Sequence, residues 1–193
     1  SGRIALLHAV AHIELNAIDL AWDLIARFAD ASLPRAFYDD WVDVAVDEGR
    51  HFTYLAARLA EMNTVYGDLP AHDGLWRAAV DTAGDLTARL AVVPMLLEAR
   101  GLDVTPAMVG KLRAAGDDRS AAILQLILDE EIGHVATGCR WFEWSCRRLE
   151  LEPVSHWQGL VAANYKGVVK PPFNHAARNR AGMAAEYYQP EKF

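Results

Sequence analysis

Apolar and polar positions alternate with helical spacing along almost the whole chain. Ile4, Leu7, Ala11, Leu15, Ile18, Trp22 and Ile25 recur at three- and four-residue steps and predict a first helix over 4–29. Asp30 to Pro34 breaks it, with Ser32 placed to cap a second helix over 35–63 and Pro34 acceptable in its first turn. Phe37, Trp41, Val44, Glu48, His51, Phe52, Leu55 and Leu59 share one face of that helix. Tyr66 to Pro70 reads as a loop. A third helix is expected over roughly 74–100, with a kink or π-bulge at Pro94 and a C-terminal cap at Gly101. Thr105 and Pro106 open a short helix over 106–115, and Asp117 or Asp118 caps a fourth long helix over 118–150. Beyond it the spacing weakens, and Pro153, Pro171 and Pro172 leave room for two short helices near 153–165 and 174–187. No stretch has strand periodicity.

Two polar interruptions of this pattern carry the chemistry. Glu48 and His51, and again Glu131 and His134, form Glu-x-x-His inside helices, so each pair points one way. Glu14 precedes Glu48, and Glu98 precedes Glu131, by nearly the same distance in sequence. Glu14 lies about 21 Å from the end of its helix and Glu48 about 20 Å into the next, so an antiparallel hairpin sets them side by side. A lone Glu-x-x-His is ordinarily a solvated helix face. Two of them, each with a matched upstream glutamate, form the ligand set of ferritin-like di-metal carboxylate proteins. The expected fold is therefore all-α, a ferritin-like four-helix bundle over 1–150. Residues 151–193 would wrap it as part of the same domain.

The six expected metal ligands are Glu14, Glu48, His51, Glu98, Glu131 and His134. Four carboxylates stripped of water cost several kcal/mol each, and two divalent cations balance them. Oxygen-rich ligation with one imidazole per metal suits two iron ions, or manganese, or a mixed Mn/Fe pair, better than zinc. Asp47 and Glu130, each next to a ligand glutamate, are placed to accept the other N–H of a ligand histidine. Glu98, near the kink, is the ligand most able to shift, and Glu98 and Glu14 are the carboxylates assigned to catalysis. His8, His12, His72, His156 and His175 lack partners at ligand spacing and read as surface or supporting groups. Tyr54 reads as a core or pocket tyrosine rather than a radical site. Trp22, Trp41, Trp141 and Trp144 read as core. Gly133, which costs ~1 kcal/mol against alanine, reads as room for a neighbouring helix or for substrate.

Composition adds limits. Hydrophobic residues make up 52% and charged residues 23% of the chain, which is globular rather than disordered. A net charge of −7 argues against a broad nucleic-acid footprint. No apolar run is expected to reach the ~18 residues of a bilayer span, so no membrane partner is expected. Cys139 and Cys146 lie roughly 10 Å apart along one helix and read as reduced, buried thiols of a cytoplasmic protein. Ser1 and Gly2 read as a cloning remnant, with a further N-terminal segment expected in the natural protein. The basic tail, including Lys166, Lys170, Arg178 and Arg180, reads most simply as a solvated cover, with contact to an anionic ligand as the alternative. Within it, residues 166–175 form a stiff strap in which Val168, Val169 and Phe173 would lie over the bundle, either closing the site or only covering exposed leucines.

Several stretches also resemble a known family: His8-Ala-Val-Ala-His-Ile-Glu14, Tyr66-Gly-Asp68, Ala71-His-Asp-Gly-Leu-Trp76, Leu97-Glu-Ala-Arg-Gly-Leu-Asp103, Asp129-Glu-Glu-Ile-Gly-His-Val135 and Pro171-Pro-Phe-Asn174. Together they resemble the ferritin-like family catalogued as domain of unknown function 455. Glu130 departs from that family's motif, where the resemblance implies Asp. The family looks related to di-iron tRNA hydroxylases, which implies an oxygen-activating oxidase or hydroxylase. Its partners would be dioxygen, an organic substrate, small or RNA-borne, and an unidentified electron donor; a homodimer is compatible with this. The alternatives are a ferroxidase or metal-handling protein without organic substrate, and a helical module whose metals only stabilise it.

Overall fold

The computed structural model describes residues 2–189, and all their regular structure is helical, with no strand among them. The helices are α1 (Gly2–Arg27), α2 (Arg35–Glu61), α3 (Gly74–Asp81), α4 (Leu86–Val92), a π-helical stretch (Val93–Glu98), α5 (Ala99–Ala114), α6 (Asp118–Leu149), α7 (Pro153–Asn164), α8 (His175–Arg180) and α9 (Ala185–Tyr188). The chain divides into two compact units. The first holds residues up to Trp76 with Pro106–Ile127, and the second holds Arg77–Thr105 with residues from Leu128 onward.

In the first unit α1 and α2 pack as an antiparallel hairpin. Its core joins Leu7 and Ala11 of α1 to Leu55 and Leu59 of α2, then to Val109 and Leu112 of α5 and Ala121, Leu124 and Ile127 of α6. The capping of α2 differs from expectation. Pro34 takes the N-cap position without a side-chain bond, and Ser32 instead donates its N–H to Asp30 Oδ1 at 2.6 Å. The chain leaves α5 through Gly116, whose φ of +73° suits a residue without a Cβ. Asp117 then caps α6, accepting from Ser120 N at 3.1 Å, and Arg58 closes on it at 2.9 Å. Burial alone would raise the Asp117 carboxyl. The bonds from Ser120 and the nearby guanidinium outweigh that and hold it below the usual carboxylate range.

Several residues of this unit sit elsewhere than expected. His8, read as a surface or supporting group, is buried, and its Nε2 accepts from Gly67 N at 2.9 Å, tying down the 66–70 loop. Trp22 and Tyr54 are 49% and 40% exposed, so neither is a core residue. By length and composition α1 is also apolar enough to cross a membrane, contrary to expectation. A core helix passes the same test, and α1 carries the buried Glu14 and packs along α2.

In the second unit the expected third helix is not continuous. It stops after Asp81, and Asp85 caps a new helix by accepting from Thr87 N at 2.7 Å and Ala88 N at 3.2 Å. The buried Arg89 reaches back across the break to Thr82 Oγ1 and Ala79 O. The bulge expected at Pro94 is present as the π-helical stretch that ends on Glu98. The indole N–H of Trp157 donates to Ala91 O at 3.1 Å, one turn before Pro94. Room for the proline ring comes from Gly138, where an added Cβ would stand 2.5 Å from Pro94 Cβ. Gly133, assigned a similar task from the sequence, is exposed and would meet nothing within 4 Å.

Neither Gly101 nor Thr105 interrupts the next helix, because α5 runs through both with Pro106 inside it. Proline has no N–H to give Leu102 O, the carbonyl four residues back. Asn174 Nδ2 donates to that oxygen at 3.1 Å instead. The C-terminal helices lie near their expected places, the second of them split into α8 and α9.

Candidate metal centre

The α1–α2 hairpin brings Glu14 and Glu48 to one height, as the spacing predicts. His51 Nδ1 lies 3.0 Å from Glu14 Oε2 and 3.4 Å from Glu48 Oε2. All three residues are buried, at 4%, 1% and 0% exposure. Burial is the main reason the Glu14 carboxyl is pushed up to about 8. The His51 bond opposes the rise and the Glu48 charge adds to it. A glutamate in this state keeps its proton near neutrality unless a cation arrives.

On α6, Glu131 Oε1 stands 3.3 Å from His134 Nδ1, and both residues are buried. Ligand atoms of Glu14, Glu48 and His51, all in the first unit, lie within 4.8 Å of one another. This buried carboxylate–imidazole cluster could hold a metal ion. Of the six expected ligands, Glu98, Glu131 and His134 belong to the second unit. Glu98 closes the π-helical stretch, half-buried, with its Oε2 shielded from solvent. Asp47, expected to support a ligand histidine, has its Oδ1 2.5 Å from Arg50 Nη2 on the same helix, and Glu130 is half-buried.

The cysteines meet expectation as free, buried thiols, and burial pushes Cys139 up to about 12 and Cys146 up to about 11. Among the tryptophans, Trp41 and Trp141 are buried and Trp144 is half-buried. Outside His8, the remaining histidines hold local structure: His12 to Tyr66 Oη at 2.8 Å, His72 to Gly74 N at 3.2 Å, His156 to Thr87 Oγ1 at 3.2 Å and His175 to Tyr188 Oη at 2.9 Å.

Sequence reasoning missed a second buried charge group. Arg178 was expected on a solvated tail, yet it is 2% exposed. It grips Asp103 with Nε on Oδ1 at 2.9 Å and Nη2 on Oδ2 at 2.7 Å. Its guanidinium lies 4.3 Å from the Tyr188 ring centroid. Periodicity gives no sign of so distant a pair. The pairing joins two of the stretches that resemble a known family, one ending at Asp103 and the other at Asn174, whose backbone N–H also donates to Asp103 Oδ1 at 2.9 Å.

Fold and site together define a helical protein with a buried cluster of carboxylates and imidazole fit for a metal ion. The chain belongs to the family described as protein of unknown function (DUF455), whose model matches residues 1–189. It is also 40% identical over 187 residues to an uncharacterized protein of Haemophilus influenzae (strain ATCC 51907 / DSM 11121 / KW20 / Rd). That alignment covers 94% of this chain, which spans 65% of the relative's length. No solved structure matches the chain.

Proposed function

We propose that the chain is a ferritin-like dinuclear metal-carboxylate protein that activates dioxygen to oxidise an organic substrate. The observation that carries this reading is the buried group of Glu14, Glu48 and His51 in the first unit, with His51 Nδ1 within 3.4 Å of both carboxylates. Carboxylate-rich donors with imidazole suit iron first and manganese second. Burial beside a second carboxylate raises the Glu14 carboxyl, and a cation would relieve both effects. In this reading Glu14, Glu48 and His51 would hold one ion, and Glu98, Glu131 and His134 would hold the other. When bound, the pair supplies Lewis acidity and the electrons that reduce dioxygen.

The chain's own residues do the rest. Their burial keeps water from the ligand oxygens. Glu14 gives up its proton when a cation binds. Glu98, on the last residue of a π-helical stretch, sits where the backbone is least regular and has most freedom to change its reach. The resemblance to tRNA hydroxylases supports an organic substrate, small or RNA-borne.

The reading is tested by metal analysis after iron-replete expression. About two equivalents of iron or manganese per chain are expected, falling by about one in His51→Ala and again in His134→Ala, as each metal has one imidazole. Metal contents near zero would overturn it. Aerobic reconstitution with ferrous iron, followed by oxygen uptake with and without organic substrates, separates an oxidase from a protein that only handles iron.

A further inference from the structure

We propose that a second site, under the strap of the second unit, binds the anionic end of a small organic acid. A cavity of about 100 Å³ lies between the π-helical stretch and the segment that follows α7. That volume is well below the ~300 Å³ at which whole-ligand pockets begin, so it fits a headgroup and leaves the body of the ligand outside. Leu96, Leu97, Val169 and Phe173 supply its apolar wall.

Three cations and one carboxylate face this cavity: Arg100, Lys170, Arg178 and Asp103. Arg178 and Asp103 satisfy each other through two bonds. The remaining charge is positive, in a chain whose net charge is −7. Arg100 spends only Nη1, donating to Lys170 O and Pro172 O, each at 2.9 Å, and standing 3.5 Å from Asp103 Oδ2. Its Nε and Nη2 make no hydrogen bond among the described residues, and neither does the Lys170 ammonium or the Tyr165 hydroxyl. A guanidinium edge, an ammonium and a phenol around a headgroup-sized space are donors without an acceptor. A carboxylate or a phosphate ester supplies one, and the arginine edge can take either in two-point fashion. The apolar wall favours an acid with a hydrocarbon or aryl body over a free inorganic ion.

The site stands apart from the metal reading, and it is tested on the full chain after chelation. Benzoate and phenyl phosphate are titrated calorimetrically at low and moderate salt, with benzamide as the uncharged analogue. Saturable binding of at least one anion is expected, weaker as salt screens the charges, with none for benzamide. The tighter of the two anions assigns carboxylate or phosphate. Lys170→Gln should weaken binding about fivefold and Arg100→Gln about tenfold, the latter losing a charged two-point contact. Because Arg100 also holds the strap, its melting curve is recorded. If it fails to fold, Lys170→Gln combined with Tyr165→Phe decides, with about tenfold weakening expected. His51→Ala, which should lose metal, should keep anion binding unchanged. The proposal is overturned if neither anion binds, if benzamide binds as well, if the Lys170 variants match the parent, or if His51→Ala abolishes binding and so places the anion at the metal cluster.

Discussion

Two buried acidic groups in this molecule are treated in opposite ways. Asp103 in the second unit meets Arg178 through two bonds and the Asn174 N–H through a third. Glu14 in the first unit faces His51 and the like-charged Glu48, and its carboxyl is pushed up to about 8. Both are buried to within a few per cent. Burial of an acid is therefore no sign of function by itself. The sign lies in what the chain supplies beside it: Asp103 is met by a guanidinium, whereas Glu14 is met by an imidazole and a second carboxylate.

The largest expected effect breaks the completed side. Arg178→Ala leaves the buried Asp103 with the Asn174 N–H and, at 3.5 Å, the half-buried Arg100, and should cost about 3 kcal/mol in chemical denaturation, the lower end for a broken buried pair. Arg178→Met combined with Asp103→Asn should recover much of that loss, because no uncompensated charge remains. A single variant within 1 kcal/mol of the parent would show that the pair is not buried in solution. The same contact affects any truncation after Gly159: it removes Arg178 along with the strap and destabilises the unit for reasons unrelated to closing a site. The strap itself departs from a simple lid, since Val168 is 73% exposed while Val169 and Phe173 are half-buried.

The next effect completes the other side. A cation that binds only the folded chain at a hundred times its Kd adds about 3 kcal/mol. Chelation should lower the melting temperature and ferrous or manganous ion should restore it. Equal melting temperatures with and without metal would separate the acidic cluster from metal binding.

A smaller effect follows from the proton on Glu14. Its folded pKa is raised from 4.5 to about 8, so between those values the folded state holds a proton that the unfolded state has lost. The associated stability is full below about 4.5 and is lost as pH rises toward 8. Metal-free protein should therefore lose about 2 kcal/mol between pH 5.5 and 7, at ~1.4 kcal/mol per unit. Glu14→Gln should flatten that slope. Asp117, whose pKa is lowered, loses its contribution only under more acidic conditions and leaves this window clear. An identical slope in Glu14→Gln would show that the carboxyl is not perturbed.

The first region was the more legible of the two. Apolar spacing placed α1 and α2 to within about two residues, the usual uncertainty of helix ends, and the height argument set Glu14 beside Glu48. Both follow from local periodicity, which a sequence displays directly. The second region defeated the same reasoning wherever distant residues decided the outcome. Gly101 and Thr105-Pro106 look like a stop and a start, yet α5 continues because Asn174 meets the carbonyl that Pro106 cannot. Thr82 to Asp85 looked like helix interior, yet Asp85 caps a new helix. Trp22 was counted as core from its spacing, although a helix can be apolar on more faces than its neighbours cover.

The smallest effect examines how firmly the second region holds Glu98. Pro94 sits in the π-helical stretch one turn before Glu98, and its ring presses on Gly138 of α6. An added Cβ would lie 2.5 Å from Pro94 Cβ and 2.7 Å from Pro94 Cγ, inside any tolerable contact. A pyrrolidine ring cannot swing aside as the end of a long side chain can, so either α6 or the π-helical stretch must move. Gly138→Ala gains helix propensity of about 1 kcal/mol at that position, against an overpacking cost in the range of 1–3 kcal/mol. The expected net is a loss of about 1 kcal/mol in denaturation, the difference of those two terms. If the π-helical stretch is what yields, Glu98 moves with it, and metal content should fall in Gly138→Ala but not in Gly133→Ala, whose Cβ would meet open space. A Gly138→Ala protein as stable as the parent and as rich in metal would show that the close approach of Pro94 does not constrain Glu98.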